Sequence, residues 1–425
     1  MNEAMSLHVE GRHAESEALY RRIIAEHPDL PDPRHYLGFL LLQTGRLDES
    51  LGLIVESLDL DDSRAEWHFN HGIVLARLGR NEEAILAFVN SLKLSSGNYF
   101  CWTNLGSLLE KAGEPGKAEE AYIAATRLDP ECPDAYYLLS TLLCLQERFR
   151  EAKYFSCLGF IADPAKDKSR IRLGIAYHET GRAEDAVATM ENWLKEEPEN
   201  PVPAHMITAF TGAEPPERCS SRYVEATFDR FAPRFDATLA SLKYAGPELL
   251  EKELRRLDFA KKSLHVLDLG CGTGLNGACL KPLSLTLTGI DISRAMLDKA
   301  EERSCYDQLF KSEICEFLGD ARNGFELITC MDALIYFGNL VPVFSGVLAN
   351  LKSGGMFIFT TEKFDVGGGK GYDLDITGRY RHGEKYLSDL LADTGFTTIS
   401  MADVVIRHES GNPVKGQLFT VQKPG

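Results

Sequence analysis

Residues 264 to 300 join, in order, an apolar run, a glycine turn, a helix and a second apolar run that ends in Asp291. Leu264 to Leu269 reads as a strand buried in a parallel sheet, and Gly270, Gly272 and Gly274 let the chain turn sharply with its backbone close to a ligand. Leu283 to Ile290 reads as a second buried strand. That places Asp291 at a strand's carboxyl end, where a carboxylate accepts hydrogen bonds from the two hydroxyls of a ribose. An adenosine-like ligand is implied.

Two cofactor classes fit this layout, because Gly272-Thr-Gly274-Leu-Asn-Gly277 also matches the dinucleotide pattern G-x-G-x-x-G. Asp268 separates them. A carboxylate in the last turn of the strand repels a pyrophosphate at the helix amino terminus but suits the cationic sulfonium and ammonium of S-adenosylmethionine. The methyl donor is favoured, and a NAD-dependent oxidoreductase stays as the alternative.

The segment VLDLGCGTG with its second-strand acid resembles the class I S-adenosylmethionine-dependent methyltransferases, from about Arg222 to the end. The resemblance implies an α/β Rossmann-like, doubly wound sheet and a set of roles. Asp268 would serve the methionine end, with the turn of Gly270, Cys271, Gly272 and Gly274 against it; Asp291 would hold the ribose and Ile292 would pack on adenine. Glu313, where Asp is commoner, and Ile314 would recognise adenine, and Met296 belongs to the same set. Helical Phe-Asp-x-x-Ala-x-x-Phe-Asp at 228 to 236 is similar to a lid across the cofactor in that family, which adds Tyr223, Phe231 and Phe235. Other readings of these residues are a helix cap for Asp291, a solvated acid for Glu313 and plain core packing for the aromatics.

Asp332, after the fourth strand at Phe325 to Cys330, is placed on the edge where such enzymes hold the methyl against the acceptor. The stretch after the fifth strand reads as a loop in which Gly367 to Gly369 precede Arg379, His382 and Tyr386. His382 is a candidate proton acceptor, Arg379 a candidate carboxylate holder, and Tyr386 a further catalytic candidate; the alternative is a surface loop in which His382 begins the next helix. Cys330-Met-Asp332-Ala-Leu-Ile-Tyr336 lacks the prolines typical of enzymes that methylate amino groups of bases or of glutamine. Cys330, preceded by Thr329 rather than proline, reads as core.

The first 200 residues repeat with a period of 34. Gly11, Gly45, Gly79, Gly113 and Gly181 share one register, broken at Glu147; Gly38, Gly72, Gly106, Ser140 and Gly174 form a second row. Together with Tyr20, Ile54, Phe88 and Tyr122 and the closing prolines, these rows resemble tetratricopeptide (TPR) repeats. The expected organisation is an all-α TPR solenoid of about six repeats over 1–200, a terminal helix and linker over 201–221, and the methyltransferase domain over 222–425. The whole chain resembles bacterial predicted methyltransferases with such repeats, and solenoid grooves imply a bound protein or peptide.

The net charge of −17 opposes an extended nucleic-acid surface. Ten cysteines without a CxxC pair oppose a metal site or a disulfide framework. The absence of a long apolar run or a signal-like start predicts a cytoplasmic protein with no membrane contact. The leading expectation is an enzyme that binds S-adenosylmethionine, releases S-adenosylhomocysteine and methylates a protein or peptide recruited by the repeats. A small-molecule methyltransferase whose repeats serve assembly, and an inert binding scaffold, remain open, as do the acceptor atom and the oligomeric state.

Overall fold

The 34-residue period becomes a row of helical hairpins in the computed structural model, which describes residues 1–165, 168–320, 324–364, 371–409 and 411–425. The run Gly367 to Gly369 lies outside the described residues. The first of two units, Met1–Ala165, pairs α1 (Asn2–Val9) with α2 (His13–Glu26), α3 (Pro31–Gln43) with α4 (Leu47–Leu60) and α5 (Ala65–Arg77) with α6 (Asn81–Leu94). It continues with α7 (Tyr99–Lys111) and α8 (Pro115–Leu128), then α9 (Pro133–Leu145) and α10 (Phe149–Ala162). The first glycine row supplies the turns: Gly11, Gly45, Gly79 and Gly113 all have φ between +76° and +80°. Glu147 adopts the same left-handed conformation (φ 61°), at a cost of about 1–2 kcal/mol for a residue with a Cβ. The second row marks the helix crossings. A Cβ on Gly38, Gly72 or Gly106 would lie 2.7, 2.6 and 2.6 Å from the side chains of Ile54, Phe88 and Tyr122, which are fully buried. Small and large residues therefore interlock one pair at a time.

The second unit, Lys166–Gly425, begins with one more hairpin, α11 (Arg170–Glu179) and α12 (Ala183–Glu196), and then α13 (Pro201–Thr211). Thus the division of the chain falls ahead of the 201–221 segment, and these three helices pack against residues from the C-terminal part of the chain. Met190, Trp193, Met206 and Phe210 share a buried cluster with Tyr223, Leu374 and Tyr380. Next come α14 (Ser221–Phe231), α15 (Phe235–Ser241) and α16 (Gly246–Leu257).

The sheet then alternates with short helices: β1 (Leu264–Leu269), α17 (Gly277–Leu280), β2 (Ser284–Asp291), α18 (Arg294–Glu302), β3 (Gln308–Lys311), α19 (Ile314–Asp320), β4 (Phe325–Cys330), α20 (Val341–Asn350) and β5 (Leu351–Lys363). These strands run parallel in the order β3-β2-β1-β4-β5. The order reverses between β1 and β4, and that switch opens a crevice at their carboxyl ends. The stretch read as a loop after β5 is instead a small hairpin, β6 (Tyr372–Leu374) and β7 (Tyr380–His382), with Glu362 opposite Arg381. After α21 (Glu384–Thr394), β8 (Thr397–Glu409) and β9 (Asn412–Gln422) form an antiparallel hairpin that β9 joins to β5. Among the described residues no helix is long and apolar enough to cross a membrane.

Candidate functional site

A cavity of about 370 Å³ lies at the switch point. Its floor is the turn after β1. Gly270 (φ 65°) needs its missing side chain, since a Cβ there would lie 2.6 Å from that of Ala333, whereas Gly272 (φ 54°) has only Phe235 within 4 Å, at 3.9 Å. The backbone at Gly272 is thus open to a ligand. Asp291 accepts hydrogen bonds from the amides of Gly272 and Ser293, both at 2.9 Å. Burial pushes its carboxyl up to about 6 despite those bonds. The helix cap proper is Ser293, whose hydroxyl accepts from the Met296 amide. Asp291 therefore bonds its local backbone and still faces the cavity.

Cys271, Ile292, Met296, Glu313 and Ile314 line the same cavity. Glu313 accepts from the Glu316 amide at 3.1 Å and lies 3.2 Å from Arg218 through Oε2. Its other oxygen, Oε1, is buried without a partner in the chain, which leaves it able to accept from a ligand or a water.

Two cofactor candidates do not reach the cavity. Asp268 is fully buried beneath the floor, where it accepts from the hydroxyls of Thr329 at 2.7 Å and Tyr306 at 2.8 Å. Strand alternation is the reason: Leu267 and Leu269 join the core on one face, and Asp268 falls on the opposite face with Val266. Burial raises its carboxyl to about 6. Gly274 lies against Ala300 and Tyr306, behind the turn.

The aromatic helix expected as a lid forms part of the cavity wall. Tyr223, Phe228, Phe231 and Phe235 all line it, and the Phe231 and Phe235 rings meet edge to face at 5.5 Å. Two acids not singled out from the sequence fix this lid. Asp229 accepts from the Ser293 hydroxyl at 2.5 Å, and Asp236 accepts from the Thr273 hydroxyl and pairs with Arg303, each at 2.6 Å. The signal for them was the Phe-Asp pair repeated seven residues apart, once in α14 and once at the start of α15.

The other end of the cavity is charged. Asp332 has an uncommon φ of 57° for a residue with a side chain, and both its oxygens accept from Arg407 Nη1, at 3.1 and 2.9 Å. Arg407, 3% exposed, also bonds Glu362 and, at 2.8 Å, Glu409. Arg379 pairs with Glu362 at 2.9 Å and Glu409 at 2.7 Å. Asp332, Arg379, Arg407 and Glu409 line the cavity; Arg407 and Glu409 were not candidates from the sequence. Burial pushes the Asp332 carboxyl up.

His382 and Tyr386 lie elsewhere, and their expected catalytic roles are corrected. His382 is fully buried on β7, with Nε2 2.8 Å from the Phe337 carbonyl oxygen, and burial lowers its pKa to about 4. Tyr386 stacks on it at 6.1 Å, and its hydroxyl accepts from the Leu340 amide. Neither lines the cavity; together they fasten the chain that follows β4.

Residues 267–357 match the family described as Methyltransferase domain. Residues 37–99 and 103–156 match one tetratricopeptide repeat family, and 169–192 match another. The chain is 32% identical over 103 residues to a ubiquinone biosynthesis O-methyltransferase of Coxiella burnetii, covering 24% of this chain and 44% of that protein. It is 39% identical over 84 residues to human methyltransferase-like protein 27, covering 19% and 34%. It therefore spans less than half the length of these relatives. A putative S-adenosylmethionine-dependent methyltransferase from Listeria monocytogenes superimposes with a TM-score of 0.34 at 20% identity, covering 43% of this chain and 99% of that one. The chain carries tetratricopeptide repeats in its N-terminal region and a methyltransferase domain in its C-terminal region.

Proposed function

We propose that this protein transfers a methyl group from S-adenosylmethionine to a protein or peptide acceptor. The observation that carries the cofactor is the pairing of Asp291, at the open end of β2, with the unpartnered Glu313 Oε1 across one cavity. Asp291 would accept from the ribose hydroxyls, Glu313 Oε1 from the adenine amino group, and the backbone at Gly272 would lie along the methionine. When bound, S-adenosylmethionine supplies a methyl on a sulfonium; the acceptor's lone pair forms the new bond as the carbon–sulfur bond breaks. What the chain contributes is alignment and the exclusion of water by the aromatic lid. Asp332 and Arg379 stand at the acceptor end as the groups that would orient the incoming atom.

Thermal unfolding with S-adenosylmethionine, S-adenosylhomocysteine and NAD in turn tests the cofactor. A ligand at one hundred times its dissociation constant stabilises by about 2.7 kcal/mol, and the two sulfur compounds are expected to shift the transition while NAD does not. A shift with NAD alone would overturn the reading.

The protein or peptide acceptor is supported by the repeats, because tethering raises an acceptor's effective concentration to about the millimolar range. A second reading, a small-molecule acceptor, is favoured by the names of the ubiquinone biosynthesis O-methyltransferases that the chain resembles. Methyl transfer to a free quinol-type phenol at full rate, with the protein saturated in cofactor, would select the second reading.

A further inference from the structure

Methyl transfer needs two reactants side by side, yet the cavity of about 370 Å³ is near the low end of the roughly 300–1,000 Å³ that suits one ligand. A groove of about 610 Å³ adjoins it, and Ile171, Thr227 and Phe231 line both. On one side of the groove stand Trp193 of α12 and Val202 of α13; on the other runs the lid helix α14. The last helical hairpin therefore walls the way in.

The charges on this groove are unevenly satisfied. Its four carboxylates are each bonded: Glu199 lies 3.6 Å from Arg222, Glu225 pairs with Lys311 at 2.6 Å, Asp229 accepts from Ser293, and Glu197 accepts from the Asn200 side-chain amide at 2.7 Å. Among the described residues, the guanidinium groups of Arg230 and Arg234, on either side of Phe231 in sequence, have no close hydrogen bond or ion pair within the chain, and Arg230 acts on the groove carboxylate Glu197 only through its field. Two guanidinium groups whose hydrogen-bond donors are unengaged, beside an apolar passage, suit an anionic ligand with an apolar end.

We propose that this groove is an outer acceptor subsite. The body of the acceptor, bearing a carboxylate or phosphate held by Arg230 and Arg234, lies between α12, α13 and the lid, and only its methylated end passes Ile171 and Phe231 into the cavity. The proposal rests on the methyltransferase reading above.

Thr227→Cys in the full-length protein puts a thiol in the passage. Its rates of reaction with sulfonatoethyl methanethiosulfonate and with trimethylammonioethyl methanethiosulfonate, read by peptide mass at residue 227 apart from the ten native thiols, are each divided by the rate with free cysteine. The anionic reagent is expected to be favoured despite the net charge of −17, and Arg230→Ala with Arg234→Ala to lower that preference about fivefold or more. A preference for the cation, or one indifferent to the arginines, would overturn the proposal. Ala226→Cys, also on the groove, gives the same reading if Thr227→Cys does not fold. Slowing of the reaction by hexaglutamate peptide but not free glutamate assigns the anion to a peptide, and slowing by both to a small molecule; slowing by neither overturns the proposal. The thermal shift with S-adenosylmethionine, measured on the same proteins, reports separately on the methyltransferase reading.

Discussion

On the side of the cavity proposed for the cofactor, the polar groups come from the ends of successive strands and bond backbone amides within a few residues or across one strand, with Arg218 as the one side-chain partner. On the acceptor side they come from β4, β5, the β6–β7 hairpin and β8, and bond one another: Asp332, Glu362, Arg379, Arg407 and Glu409. The first arrangement leaves one carboxylate oxygen, Glu313 Oε1, without a partner. In the second, buried charges satisfy each other, so much of its cost is met within the fold. One wall keeps an open acceptor, and the other is held in shape by its own charges.

The sharpest way to break this contrast is to remove one charge from each wall. Arg407→Ala leaves Asp332 without its cation and Glu362 and Glu409 with Arg379 alone, and is expected to destabilise the protein by about 3–5 kcal/mol in urea unfolding; a loss under 1 kcal/mol would mean that this wall is not held by its ion pairs. Asp291→Ala is expected to leave the unfolding midpoint unchanged or raised at pH 7, while abolishing the roughly 2.7 kcal/mol response to excess S-adenosylmethionine.

A pH series then separates the two walls without mutation. The folded-state pKa of Asp291, about 6, exceeds the usual value of about 3.9. The neutral form thus favours folding below about pH 4, and that contribution is lost as pH rises through 6. A ribose bonded to the carboxylate favours ionisation instead. Cofactor affinity, read by calorimetry, is therefore expected to rise as pH goes from 5 to 7, with proton release; a flat profile would show that Asp291 does not bind the ligand as an anion. The smallest expected effect is that of Glu313→Gln, which keeps an acceptor but can turn an amide donor toward adenine. About a three- to tenfold weaker cofactor affinity is expected, with little change in stability.

The cofactor wall was legible because its geometry is local: a strand, a turn and the next strand end place Gly272 and Asp291 together whatever the rest does. The repeats were legible for the same reason, their small and large rows meeting within one hairpin. Asp268 was read as a contact because the motif names it, but period-two alternation turned it under the floor. His382 was read into a loop because β6 and β7 are three residues each, too short for alternation to show. Arg407 lies 75 positions from Asp332, and no local rule links them. Its one trace in the sequence was a charged Arg-His-Glu run, residues 407 to 409, directly after the apolar Val404-Val405-Ile406.

Gly378, in the turn between β6 and β7, has φ 79°, and a Cβ there would lie 2.9 Å from the Tyr223 hydroxyl and 3.0 Å from the Met206 sulfur. His205 Nε2 sits 2.9 Å from its carbonyl oxygen. Anyone recombining such chains would take the proline-bearing stretch at 201–221 as the natural seam. A cut there would strip α13 from this turn and bare Tyr223, Leu374 and Tyr380 to water. A cut ahead of α11, where the second unit begins, would keep α13 on this turn and those side chains covered.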